Sequence, residues 1–334
     1  MKTFIPDGYK ASLSLYDTQK AISLTKKIFE QNLSKALNLK RVSAPLFVEK
    51  DSGLNDDLDG IAKAVDFKIP SINKEGVVVH SLAKWKRKAL HDYGFKVDNG
   101  LYTDMNAIRK DEKLDNIHSI YVDQWDWEKV INKDQRNLDY LFNTVSLIHQ
   151  AIKDTEKELQ KKYNNLSSNL ADEIKFISSE DLVSMYPGMD AKQREYEFVK
   201  KHKAAFIYGI GHKLSDGYPH DLRASDYDDW SLNGDLLYYD ELLDIALEIS
   251  SMGIRVDSNS LLNQLKEKGE EYKTKFNYHK MILNDELPLT IGGGIGESRL
   301  CMLLMNKAHI GEVQSSIWDE DTLRLAKEKG VIIL

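Results

Sequence analysis

The chain has 334 residues, 42% of them hydrophobic, which is enough to bury a large core. A net charge of -7 and a single cysteine exclude a broad nucleic-acid surface and an internal disulfide. No apolar run approaches the roughly 20 residues of a membrane span and the N-terminus lacks a signal peptide's apolar stretch, so the expectation is a cytoplasmic protein without a membrane partner.

Only six prolines occur and no Gly/Ser tract interrupts the periodic segments, which predicts one domain over 1-334. From Ser14 to Leu37, the residues Ile22, Leu24, Ile28, Phe29, Leu33 and Leu37 recur at helical spacing, giving a long amphipathic helix. An extended run follows from Arg41 to Val48, and its Pro45 belongs at an edge or interface because it cannot donate to a ladder. In the next loop, Asn55, Asp57, Asp59 and Gly60 fall in step with a calcium loop. However, Lys63 stands at the ninth place, and Asp66 stands where a bidentate Glu is needed. An acidic loop capping a site that holds an ammonium group fits better.

Val77 to His80 reads as a short strand, and Ser81 as the cap of a helix over Leu82 to His91. Lys84 and Lys88 are expected on a solvated face. Lys86, five residues after the cap, is placed to reach back towards an anion in the sheet. Two strands, Leu101 to Ile108 and His118 to Trp127, make an antiparallel hairpin around Arg109-Lys110-Asp111-Glu112. Their alternation sets Gln124 and Asp126 on one face, interleaved with Trp125 and Trp127 as a pocket wall. Long helices follow over Asn137 to Tyr163, whose terminal charge run reads as solvated, and twice between Ser178 and Lys203.

Ala204 to Gly211 is a buried strand leading into a polar stretch with His212, Asp216, His220, Asp221, Arg223 and Asp228. Its spacing fits no zinc site and suits a loop covering a substrate. Gly234 to Tyr239 and Leu247 to Val256 are paired strands. They bring Asp235 and Glu248 to neighbouring positions, where two carboxylates beside phosphate suit Mg²⁺.

The glycine-dense stretch Thr290-Ile291-Gly292-Gly293-Gly294-Ile295-Gly296-Glu297-Ser298-Arg299 runs from a strand into an apolar helix. It has neither the Lys of a Walker loop nor the following sheet of a dinucleotide fold. Glycines let its backbone approach a flat or anionic ligand, and Arg299 is suited to grip phosphate. Cys301 sits among apolar residues and reads as a small core side chain.

A helix and strand ending near Pro45, a strand-loop-strand with Arg109 and Glu112, and the Gly-rich strand into a helix with Arg299 match the three motifs of class II aminoacyl-tRNA synthetases in order. Across the whole chain, VVHSLAKWKR, HSIYVDQWDW, HKLSDG, RASDYDDW, LNGD, SSMGIRVD and TIGGGIGESRL resemble the asparagine synthetase A (aspartate-ammonia ligase) family. The resemblance implies an α+β fold with a class II synthetase-like antiparallel sheet flanked by helices, and a homodimer. It also implies ATP- and Mg²⁺-dependent amidation of L-aspartate by ammonia, not glutamine, through a β-aspartyl-adenylate with release of AMP and diphosphate.

Carried over by position, Arg109, Ser251, Arg255, Gly294, Gly296 and Arg299 would hold ATP, and Asp235 and Glu248 the magnesium. Asp56, Ser81, Lys86, Gln124, Asp126, Arg223 and Asp228 would face aspartate or ammonia. Arg109, Arg299, Lys86 and Asp228 would serve the chemistry. A tRNA-charging enzyme would need an anticodon-binding module, for which neither spare length nor a basic region is present. A nucleotide sensor would be expected to lack Arg109 or Arg299.

Overall fold

The computed structural model describes residues 2-55 and 63-334. Ser14 caps α1 (Leu15–Leu37), its hydroxyl accepting from the Asp17 N–H, and Asn38 ends the helix in left-handed backbone at φ 58. The extended run expected next is two short strands, β1 (Leu39–Arg41) and β2 (Phe47–Glu49), with Pro45 in neither. They join different sheets. After β3 (Asp66–Ile69) and β4 (Lys74–Val78) comes α2 (Ala83–Asp92), whose cap position is Leu82 and not the expected Ser81; the Ser81 Oγ accepts from the Ala83 N–H at 3.1 Å one residue earlier.

β5 (Gly100–Ile108) and β6 (Tyr121–Val130) form the expected antiparallel hairpin, and Asn137 caps α3 (Leu138–Lys162). The segment that follows supplies β7 (Lys175–Ser178), α4 (Ser179–Met185), α5 (Ala191–His202) and β8 (Ala204–Tyr208). A second hairpin, β9 (Asp228–Asp240) with β10 (Ile245–Arg255), leads to α6 (Ser258–Lys268) and α7 (Asn277–Leu283). The glycine stretch is β11 (Thr290–Gly296), running directly into α8 (Glu297–Leu304), and α9 (Glu320–Lys329) comes last.

Among the described residues, eight strands form one sheet in the order β1-β5-β6-β11-β10-β9-β8-β7, and β2, β4 and β3 form a smaller one. The large sheet is antiparallel except at its two edges, where β1 runs parallel to β5 and β7 to β8. One face is apolar. Phe29 and Leu33 of α1, Val145 and Ile148 of α3, and Leu300 and Leu304 of α8 meet Trp125, Trp127, Leu236, Tyr238, Met252 and Ile291 there. Trp125 and Trp127 therefore belong to this core and not to a pocket wall. Each is fully covered, and such burial contributes on the order of 3 kcal/mol apiece.

Two further expectations change for the same reason, that a buried partner from elsewhere in the chain is not visible in helical spacing. Lys84 is 3% exposed and pairs with Asp226 at 2.9 Å, so it is no part of a solvated face. In the charge run closing α3, Glu156 is buried and accepts from the Leu170 N–H at 3.0 Å. Among the described residues no helix is long and apolar enough to cross a membrane.

Candidate functional site

The polar face of the large sheet carries a cleft of about 590 Å³. Three strands shape its floor. Gln124 on β6, Gly294 and Gly296 on β11, and Glu248 and Ser251 on β10 all line it. Glu248 and Ser251 differ in parity, yet they share the cleft because the β9–β10 register shifts between Glu248 and Ser250, a bulge that turns the following residues over. The glycines make room chiefly for neighbouring side chains. A Cβ on Gly294 would run into the Gln124 amide, and one on Gly292 into the carboxylate of Glu128 and the Arg255 guanidinium.

Arg109, just after β5, and Arg299, in the first turn of α8, both line this cleft. Arg299 Nη1 donates to the Glu248 carbonyl at 3.0 Å and Nε to the Ile117 carbonyl at 3.3 Å, which fixes its direction. Arg223 comes from the long loop before β9 and pairs with Asp235 and, at 3.2 Å, with Asp221. Burial would raise the Glu248 carboxyl, but Arg299, Arg223, Lys192 and Arg109 together hold it low. Burial pushes Asp235 up to about 6, with Arg223 pulling against it and Glu248 adding to it. Asp235 Oδ1 is buried without a hydrogen-bond partner. Two neighbouring carboxylates, one with an unused oxygen and the other facing three arginines, suit a divalent cation shared with phosphate.

Further along the same face, where α2 packs on β6, lies a buried layer of charge. Lys86 Nζ pairs with Asp126 and donates to the Trp127 and Gly293 carbonyls at 2.9 and 3.2 Å. Arg255 grips Glu128, with Nη2 at 2.7 Å from Oε2, and also pairs with Asp228. Desolvation lowers the Lys86 pKa and raises that of Asp228, the latter against the pull of Arg255. Arg255, expected at the nucleotide, has its guanidinium spent on these two carboxylates, and neither Arg255 nor Lys86 lines the cleft. Ser81 stands at the start of α2 next to His80, which does line it. Asp56 lies outside the described residues, as do Asp57, Asp59 and Gly60.

Glu128 was not anticipated, although the same alternation that pairs Gln124 with Asp126 reaches it two residues on. Asp123 was also missed. It lines the cleft and accepts from the Ser298 N–H at 3.2 Å and hydroxyl at 2.8 Å, anchoring the helix that carries Arg299. No local pattern marks it, because its partners lie 175 residues away. In the polar loop, Asp216 pairs with Arg194 and His220 with Glu195, contacts that pin the loop to α5. Among the described residues, no group of three or more His, Cys, Asp or Glu is arranged to hold a metal ion.

A family model described as aspartate-ammonia ligase matches residues 16-330. The chain belongs to the aspartate-ammonia ligase family. Enzymes named aspartate-ammonia ligase from Clostridium perfringens strain SM101 and Ligilactobacillus salivarius are 55% and 54% identical to it; each alignment covers 100% of this chain and 99% or 100% of the relative. Among solved structures, asparaginyl-tRNA synthetase from Pyrococcus horikoshii, complexed with asparaginyl-adenylate, superposes with a TM-score of 0.65 at 16% identity, covering 89% of this chain and 68% of that one. The Entamoeba histolytica asparaginyl-tRNA synthetase gives 0.63 at 14%, covering 90% and 67%. This member of the ligase family therefore has a class II synthetase-like fold, α+β with a mostly antiparallel sheet flanked by helices.

Proposed function

We propose that the chain joins L-aspartate to free ammonia at the expense of ATP, through a β-aspartyl-adenylate, releasing AMP and diphosphate. The observation that carries this reading is the convergence of Arg109, Arg223 and Arg299 on Glu248 in one cleft, beside the open backbone of Gly294 and Gly296, with Asp235 held behind Arg223. Attack of a carboxylate on a phosphate brings two anions together, and fixed cations lower the barrier by neutralising charge as it develops. Asp235 and Glu248 would hold Mg²⁺, which supplies charge neutralisation at the phosphates when bound.

Arg109 and Arg299 grip the triphosphate, with Ser251, Gly294 and Gly296 lying against the nucleotide. Gln124 and Arg223 meet the aspartate carboxylates from the cleft, and Ser81 and Lys86 support them from the start of α2, Lys86 by holding Asp126 in place. The buried layer pairs Asp126, Glu128 and Asp228 with Lys86 and Arg255, with the buried Arg87 within electrostatic reach of Glu128. Asp126 and Asp228 are assigned to an ammonium, either aspartate's own or the incoming one. Arg255 acts by keeping Asp228 in place, and Asp56 is assigned to the ammonium on sequence alone.

Product analysis tests the reading. With ATP, aspartate and ammonium, asparagine is expected to appear with equal amounts of AMP and diphosphate; ADP and phosphate would sink it. Glutamine is expected to give no product, because Cys301 is fully covered and burial pushes its thiol pKa up, so no thiolate is at hand to open an amide. At subsaturating ammonium the rate should climb with pH as NH₃ becomes available, and Cys301→Ala should keep full activity. Glutamine turnover in an ammonia-free preparation would refute this.

The chain is also read as a homodimer joined through α1 and the Pro45 segment. Leu46 and Phe47, 53% and 44% exposed beside Pro45, support that reading. Sedimentation at twice the 38.3 kDa chain mass is the expected result, and a monomer at micromolar concentration would contradict it.

A further inference from the structure

Lys192 is the second residue of α5, where an ammonium faces the positive end of the backbone dipole and weakens the helix. Its Nζ lies 3.1 and 3.0 Å from the two oxygens of Glu195. An ordinary surface pair one turn apart contributes little, but Glu195 is not a surface residue. It is 3% exposed, and His220 Nε2, on the loop that brings Asp221 and Arg223 to the cleft, lies 2.9 Å from the same carboxylate. A buried carboxylate fixed from the loop thus holds an ammonium whose side chain is 68% open to solvent.

The other anions acting on this ammonium belong to the cleft. α5 packs on β9 and β10, and Glu248 and Asp221, both of which line the cleft, lie within electrostatic reach of Lys192. Burial opposes the charge, yet Glu195, Glu248 and Asp221 together raise the ammonium above the ordinary lysine range. Lys192 therefore stays cationic at working pH, on a flexible stem with three donors. Arg299 differs in kind, since two backbone carbonyls tether it. Lys192 is held by one side chain that another anion can replace.

We propose that Lys192 is a further phosphate-binding residue, whose ammonium passes from Glu195 to the departing diphosphate. This rests on the AMP-forming reading above. An aspartate β-carboxylate oxygen bonds to the α-phosphorus while the bond from that phosphorus to the bridging oxygen breaks. The electron pair stays on diphosphate, which gains one negative charge, and no proton moves. Arg109 and Arg299 are already committed to the triphosphate, and the solvent-open ammonium of Lys192 takes up the added charge. Glu195 and His220 are positioning residues that hold the ammonium beside the loop carrying Asp221 and Arg223 until then.

The test is steady-state asparagine formation with Mg²⁺, ATP varied, and inorganic diphosphate as inhibitor. Lys192→Met is expected to raise the diphosphate inhibition constant about tenfold, the loss typical of one charge-assisted contact, and to lower kcat, because the contact forms as diphosphate departs, while the KM values for ATP and aspartate stay unchanged. Lys192→Arg should recover most of the difference. Lys200→Met, on the same helix but paired with Asp244 at 2.9 Å, should behave as wild type. Diphosphate inhibition of Lys192→Met equal to wild type would overturn the proposal, as would a rise confined to the KM for aspartate. ADP formation by the wild-type protein, measured first, would instead overturn the reading beneath it.

Discussion

An Arg299→Ala protein is expected to lose on the order of 10²–10³ in kcat, about 3–4 kcal/mol of barrier, while remaining folded. Arg299 donates to two backbone carbonyls from a half-buried position, and losing those bonds costs about 1 kcal/mol each at most, because water can replace the donor there. Its electrostatic partner in the cleft is Glu248, whose carboxyl it holds low more strongly than any other cation does. Phosphate bound between them would lose its most rigid counter-charge. The variant's rate is measured as asparagine formation and its fold by thermal melting. A near-native rate would place the nucleotide elsewhere, and a collapsed melting curve would make Arg299 structural.

The elements of the fold were largely legible because they rest on local rules. Ser14 and Asn137 cap helices as their side chains dictate, and the β5–β6 and β9–β10 hairpins follow from alternation broken by polar turns. Sequence spacing also brought Asp235 and Glu248 to neighbouring strands, but not the bulge that turns Ser251 onto their face. That shift depends on how two ladders align, which no single strand records.

Charged residues were the harder case. Lys84, Lys86 and Lys88 look alike on one helix, yet Lys84 and Lys86 are buried against Asp226 and Asp126, and Lys88 pairs with Asp92 at the surface. Those buried partners lie 142 and 40 residues away, beyond any local pattern. The glycine run was read as making room for ligand, whereas Gly292 makes room for the Glu128–Arg255 pair.

That pair leads to the largest expected effect on stability. Glu128 is wholly buried and accepts from Arg255 Nε at 3.0 Å, Arg255 Nη2 at 2.7 Å and Thr290 Oγ1 at 2.7 Å, with Lys86 Nζ at 3.8 Å. Glu128→Ala leaves Arg255 to share the single carboxylate of Asp228 and strips Lys86 of its second anion. Breaking a buried pair from one side costs about 3–5 kcal/mol, a large part of the roughly 5–15 kcal/mol that holds a domain folded.

Glu128→Gln keeps the shape and the acceptor oxygen, so it should lose less. The pH dependence carries a sign. Burial would raise the Glu128 carboxyl, but Arg255, then Lys86 and Thr290, lower it below its ordinary 4.5. The stability it contributes is therefore fully present above pH 4.5 and fades as pH falls through the lower folded value. Denaturant midpoints at pH 7 should separate wild type from Glu128→Ala widely, and the gap should narrow in acid. A difference under about 0.5 kcal/mol at pH 7, the range of ordinary surface substitutions, would mean that the buried layer is not what ties β6, β10 and β11 together.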